Sequence, residues 1–239
     1  MKPTPSENYR NQNRRRKIGL PWTPAEICRR LRRLYGPIQP PSAEPVLNSL
    51  IRTVLSQHTS AAGCQAAWES LRKRFPTWQA VLRASRDEIV QAIRPAGLAR
   101  QRANTIQAIL QELKTRQGKL SLEFLHGWPT EKALEYLVHF PGVGPKTAGC
   151  VLLFACGRPV LPVDTHVHRV TRRLGLVPPK CSPAQAQQLL GRQVPGRRML
   201  EFDLQLIRHG RQTCLARQPR CCRCPLAQKC LFFLESKAI

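Results

Sequence analysis

The sequence predicts an all-α protein of about ten helices joined by short loops. From Thr23 onward, apolar residues recur at the three- and four-residue spacing that puts them on one face of a helix. Ser, Thr and Asp stand where several of these segments begin, and Gly or Pro where they end. No alternating apolar and polar segment leads into a two-residue hairpin turn, so the sequence gives no sign of β-strands.

The composition points to a polyanionic partner. The chain has 239 residues, with 39 Lys and Arg against 14 Asp and Glu, and a formal net charge of +25. Nucleic acid is the expected partner, and an anionic membrane surface is the weaker alternative. No segment approaches the roughly 20 apolar residues that span a bilayer, and no apolar segment of a signal peptide follows the basic run at residues 14–17. We therefore expect no membrane association and, if the source is bacterial, a location in the cytoplasm with the nucleoid.

The first elements along the chain are a tail and a long amphipathic helix. Residues 1–20 lack apolar periodicity and predict a flexible basic tail that adds affinity for phosphates. One apolar face is then formed by Leu47, Leu50, Ile51, Val54 and Leu55. A later helix repeats the pattern with Ile106, Ile109, Leu110 and Leu113.

Several helix ends can be read from capping residues. Ser85 and Glu88 form the pattern of a capping box, and Gly97 follows the helix that they begin. Thr130 predicts the N-cap of a helix over residues 131–140. Gly175 predicts the end of a helix over residues 165–174.

A glycine hairpin lies between two of these helices. In the segment Pro141-Gly142-Val143-Gly144-Pro145 the glycines permit positive φ and close approach of another backbone. Such a turn presents the free N–H groups of a helix N-terminus, and so Gly142, Val143 and Gly144 are candidates for binding a DNA phosphate. The alternative is a plain joint between two helices, with the glycines serving only as caps.

Lys146 and Asp164 are the candidate catalytic residues. A cation in the first turn faces the positive end of the helix dipole, which costs up to about 1 kcal/mol. We expect Lys146 to be partly buried and its neutral amine to act as a nucleophile, with pairing to a DNA phosphate as the alternative. Asp164 is suited to be the N-cap of the helix that begins at Thr165, and its carboxylate could also stabilise positive charge on a sugar ring.

A cysteine cluster lies near the C-terminus. Of ten cysteines, four follow the spacing Cys214-x6-Cys221-x2-Cys224-x5-Cys230, which suits zinc or a 4Fe-4S cluster. Only one close pair is present, which disfavours zinc. Arg217 and Arg220 lie between the first two cysteines and predict a phosphate clamp on a loop that the cluster holds at both ends.

The order and spacing of these three features resemble the endonuclease III family, helix-hairpin-helix DNA glycosylases and abasic-site lyases with a 4Fe-4S cluster. The resemblance runs from about residue 47 to residue 230. It implies two helical lobes with DNA across a cleft between them: a six-helix barrel at 40–157, and a cluster lobe at 21–39 plus 158–239. It also implies a partner, double-stranded DNA with damaged bases or abasic sites; we expect a monomer.

The resemblance further implies residue roles and an activity. Lys146 would attack C1′ of a flipped-out nucleotide, Asp164 would be the essential carboxylate, and the four cysteines would bind the cluster. Gln57 would fill the gap left by the base, and Leu98 would wedge into the opposite strand. The implied reaction is removal of oxidised pyrimidines such as thymine glycol, followed by β-elimination through a Schiff base on Lys146.

The sequence departs from the family pattern near the expected lesion pocket. Pro145 replaces a common basic residue, Ser60 a common acidic residue, and His58 a frequent small residue. These changes bear on substrate range more than on chemistry. The alternatives are a monofunctional mismatch or adenine glycosylase, which lacks the lysine, and a noncatalytic DNA-binding protein, which would not need both Lys146 and Asp164.

Overall fold

The computed structural model describes residues 22–39 and 44–236. Within these ranges the chain forms twelve α-helices and five short 3₁₀ segments, and it contains no strand. The prediction of an all-α fold is confirmed. The predicted tail at residues 1–20 lies outside the described residues, and no described helix is long and apolar enough to cross a bilayer.

The described chain divides into two compact units. One unit comprises residues 22–39 and 163–236, and the other comprises residues 44–162. The junction follows Pro162, whereas the expected boundary lies between residues 157 and 158. The first unit contains α1 (Pro24–Tyr35), α9 (Thr165–Leu174), α10 (Pro183–Gln193), α11 (Met199–Gln212) and α12 (Leu231–Ser236). The second contains α2 (Val46–Ser56), α3 (Ala61–Arg74), α4 (Trp78–Arg83), α5 (Arg86–Ile93), α6 (Ala99–Gln117), α7 (Thr130–Val138) and α8 (Pro145–Phe154).

Helix α2 lies at the centre of the 44–162 unit. Its predicted apolar face is fully buried: Leu47, Leu50, Ile51, Val54 and Leu55 are all 2% exposed or less. The helix packs against α3, α6 and α8, so most helices of this unit contact it or its neighbours. The apolar face of α6 is buried in the same core, as its spacing predicts.

Most of the predicted helix ends are confirmed, and one is wrong. Ser85 and Glu88 form the expected capping box, and Gly175 ends α9 with a left-handed φ of 78°. Thr130 is not an N-cap, because the cap position is Pro129 and Thr130 is already the first helical residue. The fixed φ of Pro129 supplies the extended conformation that precedes a helix, so no capping side chain is used there.

In the other unit, α11 packs against both α1 and α9. Helix α1 begins with a capping box between Thr23 and Glu26. The indole N–H of Trp22 donates to the carbonyl of Leu226 at 2.9 Å, which ties the start of this unit to its cysteine-rich end. Contacts between segments that are distant in sequence therefore hold this unit together.

Candidate active site

The glycine hairpin joins α7 to α8 as a tight turn. The N–H of Val143 donates to the carbonyl of Phe140 at 3.1 Å, and Gly142 has a φ of 72°. Val143 and Phe140 are 4% and 3% exposed, so their side chains fix the turn in the core while Gly142 and Gly144 remain exposed. The buried side chains thus leave the backbone of the turn facing solvent.

The N-terminus of α8 has no capping side chain. Gly144 is the N-cap residue and Pro145 occupies the first helical position, where its missing N–H costs nothing. The backbone N–H groups at the start of α8 therefore have no side-chain acceptor, which is the arrangement that binds a phosphate.

Lys146 follows Pro145 in the first turn of α8, as the sequence predicts. Its side chain is exposed, so the expectation of partial burial is wrong. Pro145 and Lys146 are exposed, like the hairpin residue Gly144 before them, whereas Thr147, Ala148 and Gly149 are buried. The amine consequently stands in solvent beside the uncapped N-terminus.

Gln57 contacts the hairpin directly. It is the C-cap residue of α2, and its side-chain Nε2 donates to the carbonyl of Gly142 at 3.4 Å and to Oγ1 of Thr147 at 3.3 Å. Gln57 and the hairpin, which are about 85 residues apart in sequence, are thus in direct contact.

Leu98 precedes the first residue of α6 and is 59% exposed. Its backbone is left-handed, with φ 46° and ψ 34°, a conformation that costs a leucine about 1–2 kcal/mol. This strained backbone presents the side chain to solvent.

The buried side chain of Arg102 connects Gln57 to the Leu98 turn. Its guanidinium donates to the carbonyls of Ala96, Gly97 and Gln57. Burial lowers the pKa of this guanidinium, and the nearby Cys64 opposes that shift. Sequence reasoning missed Arg102, because nothing in the pattern indicates that backbone carbonyls are its partners.

Asp164 belongs to the other unit and is the N-cap of α9, as predicted. Its Oδ1 accepts a hydrogen bond of 2.7 Å from the N–H of Val167. The carboxylate is partly exposed, and Oδ1 alone is used by this cap bond. Capping holds the group still without enclosing it.

The four predicted cluster cysteines line one cavity. Cys214, Cys221, Cys224 and Cys230 all face it, together with His209 and Arg173. The pKa of Cys224 is raised to about 12, mainly by burial; a backbone hydrogen bond at Leu226 opposes this rise, and the neighbouring thiols contribute to it. Cys222 does not line this cavity and is exposed, consistent with its exclusion from the spacing.

Two side chains approach the sulfurs. Nη1 of Arg173 donates to Sγ of Cys214 at 3.3 Å, and Nε2 of His209 lies 3.5 Å from Sγ of Cys224. The Tyr35 hydroxyl is 2.9 Å from Nδ1 of His209 and 2.7 Å from Oγ1 of Thr213. Sequence reasoning missed these residues, although a histidine in the last turn before Cys214 was an available signal.

The four thiols around this cavity fit a thiolate-bound metal site. Buried thiols with raised pKa values are costly to ionise unless a cationic group compensates them, and the N–H donor of Arg173 near Cys214 suits a thiolate ligand. Among the described residues, no group of three or more His, Cys, Asp or Glu is placed to hold one metal ion. Four cysteines around a shared cavity could hold either zinc or a 4Fe-4S cluster.

Arg217 and Arg220 are exposed on the loop after Cys214. Arg173 holds this loop, because its guanidinium donates to the carbonyls of Leu215 at 2.7 Å and Ala216 at 3.1 Å. The loop therefore has a protein anchor in addition to its flanking cysteines.

The sequence of this chain matches a known protein family. Residues 51–195 match the profile of the HhH-GPD superfamily of base excision DNA repair proteins. A candidate DNA glycosylase from Arabidopsis thaliana is 39% identical over 168 residues, which are 70% of this chain and 57% of that protein. This chain therefore spans less than two thirds of that relative's length.

Shorter relatives match over most of their length. Endonuclease III from Thermotoga maritima is 32% identical over 184 residues, which are 77% of this chain and 82% of that protein. A solved complex of endonuclease III with DNA is similar to this structure with a TM-score of 0.76 and 26% identity, over 91% of this chain and all of the other. The similarity covers both the helical fold and the order of its elements.

Proposed function

The chain belongs to the HhH-GPD superfamily of base excision DNA repair proteins, and from that membership we propose that it is a bifunctional DNA glycosylase and abasic-site lyase. The observation that carries the proposal is Lys146, an exposed amine in the first turn of a helix whose N-terminus has no capping side chain. A monofunctional glycosylase or a binding module has no use for a nucleophile at this position. The proposed substrates are oxidised pyrimidines of the thymine glycol type in duplex DNA.

In the proposed reaction the neutral amine of Lys146 attacks C1′ of a flipped-out nucleotide. The C1′–N bond breaks, and the base leaves with a proton. The C1′–O4′ bond then breaks, O4′ takes up a proton from water, and a protonated Schiff base forms between Nζ and C1′. Loss of a C2′ proton breaks the C3′–O3′ bond and releases the 3′ phosphate, and hydrolysis of the Schiff base by water frees the lysine. Exposure of the amine supports this role, since it leaves room for a sugar to approach.

Asp164 is the proposed carboxylate of the reaction. As positive charge develops on the sugar ring, a fixed negative group lowers the energy of the transition state without having to reorganise. The cap bond to Val167 supports this role because it fixes the carboxylate in advance. The neutral cap residues Ser and Thr would hold α9 equally well but would carry no charge.

The proposed DNA contacts divide into backbone binding and base replacement. Gly142, Val143 and Gly144 would bind one phosphate through backbone N–H groups, and Arg217 and Arg220 would pair with others. Gln57 would enter the space left by the flipped base, and Leu98 would separate the opposite strand. The exposed, left-handed backbone of Leu98 supports a role outside the core.

Cys214, Cys221, Cys224 and Cys230 would hold a 4Fe-4S cluster. When bound, this group supplies a rigid link between the ends of the Cys214–Cys221 loop and no part of the chemistry at C1′. The residues of the chain then present Arg217 and Arg220 on a fixed loop. Support comes from the shared cavity, from the Arg173 N–H that donates to Sγ of Cys214, and from the contact between His209 and Sγ of Cys224.

A trapping experiment tests the proposed activity. Purified protein is incubated with duplex DNA containing either thymine glycol or a preformed abasic site, and borohydride is added to reduce any Schiff base. We expect a covalent protein–DNA adduct with both substrates, and its loss in Lys146→Gln. Lys73→Gln, which removes another exposed lysine of the same unit, is the matched control and should still form the adduct.

The outcomes separate the possible functions. No adduct from wild-type protein on abasic DNA would overturn the lyase assignment. Release of a base without an adduct would indicate a monofunctional glycosylase, and DNA binding without either reaction a noncatalytic protein. An adduct on abasic DNA but not on thymine glycol would leave the lyase in place and refute only the proposed base.

A further inference from the structure

Arg102 is a buried charge whose partners are all backbone carbonyls. It is 4% exposed and lies in the first turn of α6. Its guanidinium donates to the carbonyls of Ala96 and Gly97 just before that helix, and to the carbonyl of Gln57 at the end of α2. Removing a buried charge of this kind leaves several carbonyls without donors, so the contact fixes both segments.

Two of the three carbonyls stand immediately before strained residues. His58 follows Gln57 with a φ of 48°, and Leu98 follows Gly97 with a φ of 46°. In the described part of the 44–162 unit these are the non-glycine residues with positive φ. Strained backbone of this type persists only where the surrounding structure enforces it, and Arg102 is the group that touches both sites.

The two strained sites carry the two residues proposed to enter the duplex. Gln57 directly precedes His58, which is one of the two left-handed residues, and Leu98 is the second. In the structure the Gln57 side chain is hydrogen-bonded to Gly142 and Thr147, and it would have to leave those partners in order to fill a vacated base position. The bond to its carbonyl would remain, because Arg102 reaches the main chain and not the side-chain amide.

We propose that Arg102 is a positioning residue that fixes the main chain at Gln57 and at Leu98 as one rigid element, so that the two side chains enter the DNA together. The inference rests on the proposed function of those two residues. A rigid pair avoids the loss of conformational freedom that two separate flexible loops would suffer on binding. Arg102 would thereby act on base extrusion and not on the chemistry at Lys146.

An arginine is suited to this task in a way that lysine is not. The planar guanidinium directs several N–H groups along fixed lines, and Arg102 uses both terminal nitrogens: Nη1 for Ala96 and Gly97, and Nη2 for Gln57. A lysine ammonium is a single point at the end of a flexible stem and does not reproduce this fork. Arg102→Lys therefore keeps the charge while weakening the link.

The test compares two reactions of the same enzyme under single-turnover conditions. Base removal from a thymine glycol duplex requires extrusion of a paired base, whereas strand cleavage at a preformed abasic site has no base to extrude. We expect Arg102→Lys and Arg102→Met to slow base removal by about tenfold or more and abasic-site cleavage by about twofold or less, since extrusion involves a few kcal/mol. Arg100→Met, at an exposed arginine of the same helix, is the matched control and should change neither rate.

A double-mutant cycle distinguishes positioning from general stability. In a Gln57→Ala/Leu98→Ala background the carbonyl partners of Arg102 remain but the two side chains that it would position are gone, so Arg102→Lys should slow base removal by less than about twofold. Helix content and melting temperature are measured for every variant, and the assays are run below the lowest melting temperature. If the methionine variant does not fold, the lysine variant carries the comparison.

Four results would count against the proposal. Equal slowing of both reactions, or full additivity in the cycle, would overturn the role of Arg102 and leave the proposed function intact. Unchanged base removal in Arg102→Lys would do the same. Wild-type protein that neither releases the base nor forms a borohydride adduct would overturn the proposed function, and this inference with it.

Discussion

The Oδ1 of Asp164 accepts a hydrogen bond of 2.7 Å from the backbone N–H of Val167, so the proposed catalytic carboxylate is also the N-cap of α9. One side chain thus has two roles with different chemical requirements. Capping needs only an acceptor oxygen, whereas stabilising a positive sugar needs a negative charge. The two requirements can be separated by substitution.

Asp164→Asn should keep the cap and lose the reaction. Asparagine is as good an N-cap as aspartate, so we expect the melting temperature to change by no more than about 2 °C, while single-turnover base removal falls by about 100-fold or more. Asp164→Ala should lose both, with a further destabilisation of about 1 kcal/mol. Calorimetry and a base-release assay on the three proteins make the comparison; an active asparagine variant would show that Asp164 is only a cap.

The glycines of the hairpin should respond differently to alanine. At Gly142 the φ of 72° is unfavourable for alanine, and an added Cβ would lie 3.0 Å from Cγ2 of Thr105. At Gly144 the φ is −87° and no atom lies within 4 Å of an added Cβ. We expect Gly142→Ala to lose about 1–2 kcal/mol of stability and Gly144→Ala to lose almost none.

Binding measurements on the same pair test the phosphate site. If a DNA phosphate approaches the exposed backbone here, a methyl group at Gly144 should weaken binding even though the fold is intact. Fluorescence anisotropy with abasic-analogue duplex measures the effect. Gly191→Ala, which also has open space around an added Cβ, is the control, and equal affinity of the two variants would argue against a phosphate at the hairpin.

The sequence was sufficient where a residue type and its spacing determine the local structure. The apolar face of α2, the capping box of Ser85, the cap at Asp164 and the turn before Lys146 all follow from such local rules. Thr130 failed because a neighbouring proline already set the backbone. The prediction considered only the capping side chain of Thr130 and not the backbone conformation that Pro129 fixes before it.

The contacts of arginine side chains to backbone carbonyls could not be predicted from the sequence. Arg102 and Arg173 each connect segments distant in sequence, and every residue offers the same carbonyl acceptor. No side-chain pattern marks which carbonyl will be used. The partial burial expected for Lys146 failed for a related reason, since exposure within the first turn depends on which neighbouring elements pack against it.

Arg217 should contribute to DNA affinity through charge alone. It is exposed on a loop that Arg173 anchors, and a phosphate contact there should carry no sequence preference. We expect Arg217→Ala to weaken DNA binding at low salt and to reduce the slope of log affinity against log salt by about 1. Arg192→Ala, at an exposed arginine of α10, is the control. An unchanged slope in Arg217→Ala would remove this residue from the DNA surface.

The cysteines offer a matched pair for testing the cluster. Cys224 lines the shared cavity and lies 3.5 Å from Nε2 of His209, whereas the exposed Cys222 lies outside it. We expect wild-type protein to be brown, with about four irons and broad visible absorption. Cys222→Ser should have the same colour and iron content, because Cys222 is not one of the proposed ligands. Cys224→Ser should lose iron and colour, and it should melt at a lower temperature because the Cys214–Cys221 loop loses its link.

The result for DNA binding follows from the same geometry. Arg173 and Arg169 would still hold the loop in Cys224→Ser, so the loop should remain near its place but move more freely. Affinity for DNA should therefore fall, while Lys146 still forms a borohydride adduct at high DNA concentration. A variant with normal affinity would show that the cluster does not position Arg217 and Arg220. Colourless wild-type protein with one bound zinc, lost in Cys224→Ser but kept in Cys222→Ser, would replace the proposed cluster with a single-ion site.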